Sequence, residues 1–425
     1  MRRDRALALL LSATVVAVCG SIVWPPLSWA AAASAAGAAL IASTRVGGAV
    51  RAVVAALALA GVGGLIAATV MTGRMPGAAA VASVNQDLVA MLAAVSLVRL
   101  VMPTARADAG RLHGWPAIVR TSLAVHLLAS VINMSALTLA AHRLSREGRL
   151  PLPDAVLLSR AYATGAFWSP FWLASAATIA VVPDADTRPA LIIGAVVALV
   201  AVTLGTLDVG RLLGSSRAEY RGYPLTPSLL VVPSAMVALV MIGHVLLPDT
   251  PIPRLVTAAA VLVCIVGLAR RRRWIDLARH ATGGIGSVRA EAALFVAAGI
   301  LTAGLSAVVA AAGPLLPLGG YDITVAWLCL VATIGLATLG LHPIVTLALS
   351  AAIVLPLDPQ PSLFVLATLL GWGASATVGP TSGLLMHLTS QFGVGLRELM
   401  LRNALFVGLV AALAWPALLI VDAMD

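Results

Sequence analysis

The sequence predicts an all-α polytopic membrane protein: about 11 transmembrane helices, two re-entrant hairpins, two broken helices and an inverted repeat. Three observations predict it. The 425-residue chain is 60% hydrophobic and only 10% charged, with a mean hydropathy of +1.02. Apolar stretches of membrane-spanning length recur from one end to the other. Two of them, SRAYATGAFWSPFWLASA and GWGASATVGPTSGLLM, carry proline and glycine where a regular span should run unbroken.

Unbroken apolar windows place full spans at about 6–24, 27–43, 48–72 and 80–102. The first follows MRRDR and precedes PPLSWAAAA, the layout of a secretory leader. Its apolar region is long for that role, so an uncleaved first helix is expected, with cleavage as the alternative. Residues 114–142 differ in character, with the polar middle HLLASVINMSALTLAAH. An interrupted apolar segment follows at about 155–183, and a regular span at about 189–208. After the polar loop 209–226, spans are expected at about 228–247, 253–270 and 290–312. A second unusual segment, about 321–357 around GLHPIVT, leads to the interrupted 361–390 and a closing span at about 399–422.

The two halves share a layout. Adding 210 carries Asn133 onto Pro343, Pro170 onto Pro380, and the span 189–208 onto 399–418. The chain therefore reads as a leading helix (1–26), a first repeat (27–208), a cytoplasmic linker (209–227) and a second, inverted repeat (228–425). Loop charge supplies the inversion. If 114–142 and 321–357 each enter and leave on one side, Arg143, Arg146, Arg149, Arg270 to Arg273 and Arg397 share a face with the N-terminus. Arg74, Asp184, Asp186, Arg188, Asp249, Arg254, Asp358, Asp422 and Asp425 fall on the other. The positive-inside rule makes the first face cytoplasmic. Each repeat then crosses an odd number of times, which turns the second upside down. The expected location is a bacterial-type inner membrane, with the N-terminus cytoplasmic and the C-terminus outside.

The formal charge is +10, and every basic residue is arginine. These arginines lie mostly in short loops between spans, so a nucleic-acid partner is not expected. The bilayer itself accounts for the bias. Cys19, Cys264 and Cys329 lie in or beside apolar segments without paired spacing and read as small buried hydrophobes.

In hydrocarbon every backbone N–H and C=O needs a partner within the protein, so irregular backbone at depth lines a cavity or is buried. A mid-span proline removes an amide and clashes with the preceding turn. The half-helices left on either side aim a positive end or freed carbonyls at the gap. Pro170 or Pro380 alone would read as a kink. Two at matched positions, each preceded by a polar hairpin tip, point to a binding site.

This arrangement resembles the ion-transporter superfamily, nearest the divalent anion:sodium symporters and their arsenite-efflux and citrate relatives. The resemblance runs from roughly Val81 to the C-terminus. It is carried by HLLASVINMSALTLA, GLHPIVTLALSAAIV, the two interrupted segments and RELMLRNALFVGLV. It implies hairpin tips with a Ser-Asn-Thr motif meeting substrate carboxylates and sodium. By position the first tip maps onto Ile132, Asn133, Met134 and Ser135, and the second onto His342, Pro343 and Thr346. The broken-helix motif maps onto Thr164, Gly165, Ser169 and Pro170, and onto Ser375, Thr377, Gly379, Pro380, Thr381 and Ser382. Asn133 and Ser135 keep the motif's chemistry in the first tip; the second has no asparagine. The resemblance also extends to homodimers paired through outer helices.

Ionisable residues inside spans are costly and functional by default. Asp87 reads as a proton-coupling site or, more readily, as a residue at a wet span end. Arg160, on the first broken helix, reads equally as an attractor of anions or as a side chain snorkelling to the inner surface. His126, His244, His342 and His387 show no ligand spacing, so no metal is expected and packing roles fit best. No phosphate loop, His-Glu-x-x-His or nucleophile elbow occurs, and no enzyme is expected. The expected function is secondary active transport of a small anionic or polar solute, carboxylate-like, by alternating access. It needs no cofactor; an ion gradient, with sodium suited to neutral polar ligands, would drive it. An intramembrane lipid-modifying enzyme and a non-transporting scaffold subunit are the alternatives.

Overall fold

A computed structural model describes residues 2–74, 85–102, 112–182, 186–223, 226–313 and 319–424. Among these the chain is helical throughout, apart from one isolated bridge between Arg146 and Arg149. Among the described residues eight helices are long and apolar enough to cross a membrane, and the protein is a multi-pass membrane protein. The expected boundaries of the first three spans hold closely in α1 (Arg2–Ser21), α2 (Leu27–Ser43) and α3 (Gly48–Thr72). Where a span was expected at 80–102, α4 (Gln86–Val98) is a shorter apolar helix of 13 residues, outside the eight, and the first residues of the expected span lie outside the described ones.

The chain divides into two compact units, each drawing on both halves of the sequence. The first unit comprises residues 1–102, 234–319 and 348–357. It holds α1 to α4 and most of α10 (Pro227–Leu246). It also holds α11 (Ile252–Arg271), α12 (Trp274–Thr282) and α13 (Arg289–Ala312). Its tightest crossing is α3 on α13. A Cβ placed on Gly64 would come within 2.8 Å of the Gly304 backbone, so neither position has room for a side chain. Asp87 is ion-paired with Arg254 at 2.9 Å, while its second oxygen has no hydrogen-bond partner among the described residues. The short helix α12 was not expected. It buries His280, whose Nε2 lies 3.0 Å from Ser96 Oγ, and leaves Trp274 and Ile275 exposed.

The second unit comprises residues 103–233, 320–347 and 358–425. Here α5 (Trp115–Ile132) and α6 (Met134–Leu144) are joined through Asn133 alone and pack on each other. Helices α7 (Leu152–Ala163) and α8 (Leu173–Val181) form the first interrupted segment, and α9 (Arg188–Leu212) closes this half. The later half repeats the series: α14 (Ile323–Thr338), α15 (Pro343–Val354), α16 (Pro361–Ala376), α17 (Gly383–Phe392) and α18 (Leu396–Asp422). Only the first residues of α15 belong to this unit.

The shift of 210 holds to the residue for three helix limits and to within four residues for the others of the two series. It carries the start of α8 from Leu173 to position 383, where α17 begins, and the ends of α6 and α9 to 354 and 422, where α15 and α18 end. Helix length follows the same logic: the 27 residues of α18 reach about 40 Å, beyond a hydrocarbon core of about 30 Å. The 12 residues of α7 and 9 of α8 reach about 18 and 14 Å, so neither crosses alone.

Gly64→Val should lower stability by about 1–3 kcal/mol through overpacking against Gly304. Gly63→Ala, beside it but facing open space, should be neutral or slightly stabilising. Thermal unfolding in detergent reads both.

Candidate functional site

The two interrupted helices break with the same backbone pattern. Helix α7 ends at Ala163, tightens into a 3-10 turn over Thr164–Phe167, and leaves regular structure until Leu173. Helix α16 ends at Ala376 and regular structure resumes at Gly383. A proline cannot donate the amide a continuing helix needs, and its ring excludes the turn before it. Around each proline the same three backbone bonds recur at the shift of 210. Ser169 N donates to Gly165 O at 3.1 Å, and Gly379 N to Ser375 O at 2.8 Å. Trp172 N donates to Ser169 O at 3.1 Å, and Ser382 N to Gly379 O at 2.9 Å. Ala176 N and Met386 N then open the new helices on Trp172 O and Ser382 O, both at 3.0 Å.

Each break is tied to the turn that precedes it in the chain, at equivalent residues of the break, though the turn partners Asn133 and Gly340 are not equivalent at the shift of 210. Asn133 takes a φ of +46° with a ψ of −128°, a positive-φ turn geometry in which glycine, asparagine and aspartate predominate, and its Nδ2 donates to Phe171 O at 3.0 Å. In the later half, Thr381 Oγ1 donates to Gly340 O at 3.0 Å. Positions 171 and 381 are 210 apart. Donor and acceptor have exchanged places between turn and break, which is why the letters of the two halves hide the correspondence.

Breaking a helix frees carbonyls, and side chains take up several of them. Ser175 Oγ donates to Ser169 O at 2.6 Å and Ser382 Oγ to Ala376 O at 2.8 Å. Asn403 Nδ2 donates to Thr377 O at 3.0 Å. Ser169 Oγ donates to Ser130 O on α5, and Trp172 Nε1 to Ala129 O at 2.9 Å. The carbonyls at 169, 171, 376 and 377 are therefore already engaged.

The expected site residues separate into two groups. Thr164, Ser375, Thr377 and Thr346 are buried, and each hydroxyl donates to the carbonyl three residues earlier in its own helix. Gly165, Ser169, Gly379, Ser382 and Pro343 are also buried. Asn133, Ser135, Pro170, His342, Pro380 and Thr381 keep partial exposure and supply the accessible surface. His342 stands edge-on to Trp372, ring centroids 6.1 Å apart, and its Nδ1 accepts from Ile344 N at 3.2 Å. The two broken helices meet directly. Phe167 of the first packs where Gly373 of the second lacks a side chain, with room for nothing larger.

Arg160 fits neither expectation. Its side chain is 4% exposed and pairs with Asp208 on α9 at 2.7 Å, so it does not reach out to a surface. Nε donates to Asn403 Oδ1 at 3.1 Å, NH2 donates to Arg402 O at 2.6 Å, and the guanidinium lies over the Phe406 ring. A guanidinium so fully engaged is a cross-link between α7, α9 and α18. Asn403 is the other half of it. Fully buried, it accepts from Arg160 and donates to Ser159 Oγ at 3.1 Å and Thr377 O. The second break is thereby bolted to the first broken helix.

Sequence reasoning passed over Asn403, Trp168 and the partners of His126. Asn403 in RNALF was a visible signal, a lone amide within a closing apolar span. Trp168 Nε1 donates to His126 Nε2 at 3.3 Å, and His126 Nδ1 lies 2.9 Å from Thr164 Oγ1. Thr138 Oγ1 lies 3.0 Å from His387 Nε2, so α6 also touches α17. Among the described residues no group of three or more metal-ligating side chains is gathered.

Comparison with protein-family models and with curated proteins returns no match for this chain.

Asn403→Leu should cost about 1–3 kcal/mol for each buried partner it strands. Because Arg160 shares that network, Arg160→Met and Asn403→Leu together should cost clearly less than their sum. A double-mutant cycle by thermal unfolding measures it.

Proposed function

We propose that the protein is a secondary active transporter of the ion-transporter type. Its substrate is a small anionic or polar solute, carboxylate-like, which passes the bilayer by alternating exposure of one site. The observation that carries this reading is the pair of helices broken at positions 210 apart, each hydrogen-bonded to its preceding turn at the equivalent residue. Structural kinks need no such partner. A site assembled from two related halves does. In this reading the chain makes about 11 crossings, with α5–α6 and α14–α15 as re-entrant hairpins entering from opposite faces of an inner membrane.

The accessible side chains support a neutral polar ligand set. Asn133, Ser135 and Thr381 offer donors and acceptors, while α8 and α17 begin at the breaks and leave first-turn amides for an anionic group. Arg160, spent on Asp208 and Asn403, holds the frame rather than the solute. Sodium, which the resemblance implies, is tested alongside the solute. A homodimer paired through outer helices is part of the same proposal.

A thermal-shift screen of the purified protein against carboxylates, sulfonates and oxyanions, with and without sodium, should find a stabilising solute. In reconstituted vesicles Asn133→Ala, Ser169→Ala, Thr381→Val, Pro170→Ala and Pro380→Ala should each reduce its uptake at least tenfold. Uptake that survives all five substitutions would remove the site.

A further inference from the structure

We propose that His126 is a proton-binding site of the coupling step, and that proton uptake there releases the Trp168 end of the first break. The inference rests on the transport reading and names its coupling ion. An indole nitrogen can only donate. The 3.3 Å contact from Trp168 Nε1 therefore fixes His126 Nε2 as the bare, accepting nitrogen. The ring hydrogen then sits on Nδ1, aimed at Thr164 Oγ1 2.9 Å away, whose own hydrogen goes to Ala161 O. Both ring nitrogens are committed to residues of the first broken helix, one at the first residue of its 3-10 turn and one just past its end. A proton arriving at Nε2 turns that acceptor into a donor facing a donor, and the Trp168 contact cannot persist.

The consequence runs straight into the site. Trp168 adjoins Ser169, whose hydroxyl holds Ser130 O one turn along α5 from His126. Two residues further, Phe171 O is the atom that Asn133 holds. Releasing Trp168 loosens the backbone that those two bonds fix.

Other groups are less suited to the task. Among the described residues no charged side chain acts on the His126 ring. On the elements packed against it, α7 carries Asp154, bonded to Tyr220, and Arg160, paired with Asp208 of α9. Helix α9 also carries Arg188, paired with Asp186, and Arg211; α6 carries His142 and Arg143 near its far end, and α5 itself carries Arg120. His342 gives its accepting nitrogen to an amide of its own turn, so its protonation would leave the breaks alone. A sodium ion would need free carbonyls, and those at 169, 171, 376 and 377 already have donors. An imidazolium in this apolar setting is costly without a partner. The proton therefore binds when water reaches the ring, which links protonation to opening.

The test uses the full-length protein in nanodiscs, with the proton as probe. Emission of Trp168 is taken as the difference between the wild type and Trp168→Phe while the pH falls from about 8 to about 4, across the histidine range. The expected result is loss of the Trp168 emission on acidification, because imidazolium replaces the accepting nitrogen beside the indole. His126→Gln offers an acceptor to Trp168 and a donor to Thr164 but cannot titrate. It should abolish that loss while unfolding at the wild-type temperature at the alkaline end. Should His126→Gln fail to fold, proton uptake counted with a pH dye in wild type and Trp168→Phe decides. Equal uptake midpoints in the two proteins would overturn the proposal, and an upward-shifted midpoint without the indole would support it. Trp168 emission that ignores pH, or that titrates unchanged in His126→Gln, overturns it whatever the solute screen returns. A blank solute screen beside a titrating Trp168 would remove the transport reading and leave the proton site standing.

Discussion

A helix interrupted inside a membrane protein must find partners for its own freed carbonyls, and that constraint organises the second compact unit. In hydrocarbon no water is available to take them. Serine, threonine and asparagine donors supply them instead, drawn from the turn at Asn133, α8, α18 and the breaks themselves. In a chain that is 60% hydrophobic, the buried polar side chains Ser169, Ser175, Ser382 and Asn403 serve the places where backbone order fails. The Arg160–Asp208–Asn403 cross-link belongs to the same account, since Asn403 serves a break carbonyl and a buried guanidinium at once.

The two halves solve this problem with one backbone and different side chains. Residues 165–176 and 375–386 share three hydrogen bonds in identical register. Yet the first half ties its turn to its break through an asparagine on the turn, and the second through a threonine on the break. What is repeated is the need for a bond between turn and break, not the residue that makes it. Weak identity between the halves follows directly.

Much of this was legible in the sequence, and the rest was hidden for stateable reasons. The interruptions at Pro170 and Pro380 and the shift of 210 announced themselves, because proline and glycine act locally. Limits of α2, α3 and α13 followed from hydropathy alone. The partners of Arg160 did not: Asp208 is 48 residues away and Asn403 is 243, and no local pattern encodes such pairings. Its burial against Phe406 replaced both expected roles. Helix α12 escaped notice because the arginine run before it reads as a plain loop. His126 looked like a scattered packing residue, since the indole that fixes its tautomer lies 42 positions on.

The opposed orientation of the halves is the proposition on which the transport reading turns, and side-specific labelling reaches it most directly. With Cys19, Cys264 and Cys329 replaced by alanine, single cysteines at His113, Arg149, Gly320 and Asp358 sit at the exposed ends of the two helix–turn–helix segments. A membrane-impermeant maleimide applied to oriented vesicles should label positions 113 and 149 from the cytoplasmic side only. Positions 320 and 358 should label from the outer side only. Label at 113 and 149 from opposite faces, or at 149 and 358 from the same face, would contradict the inverted arrangement.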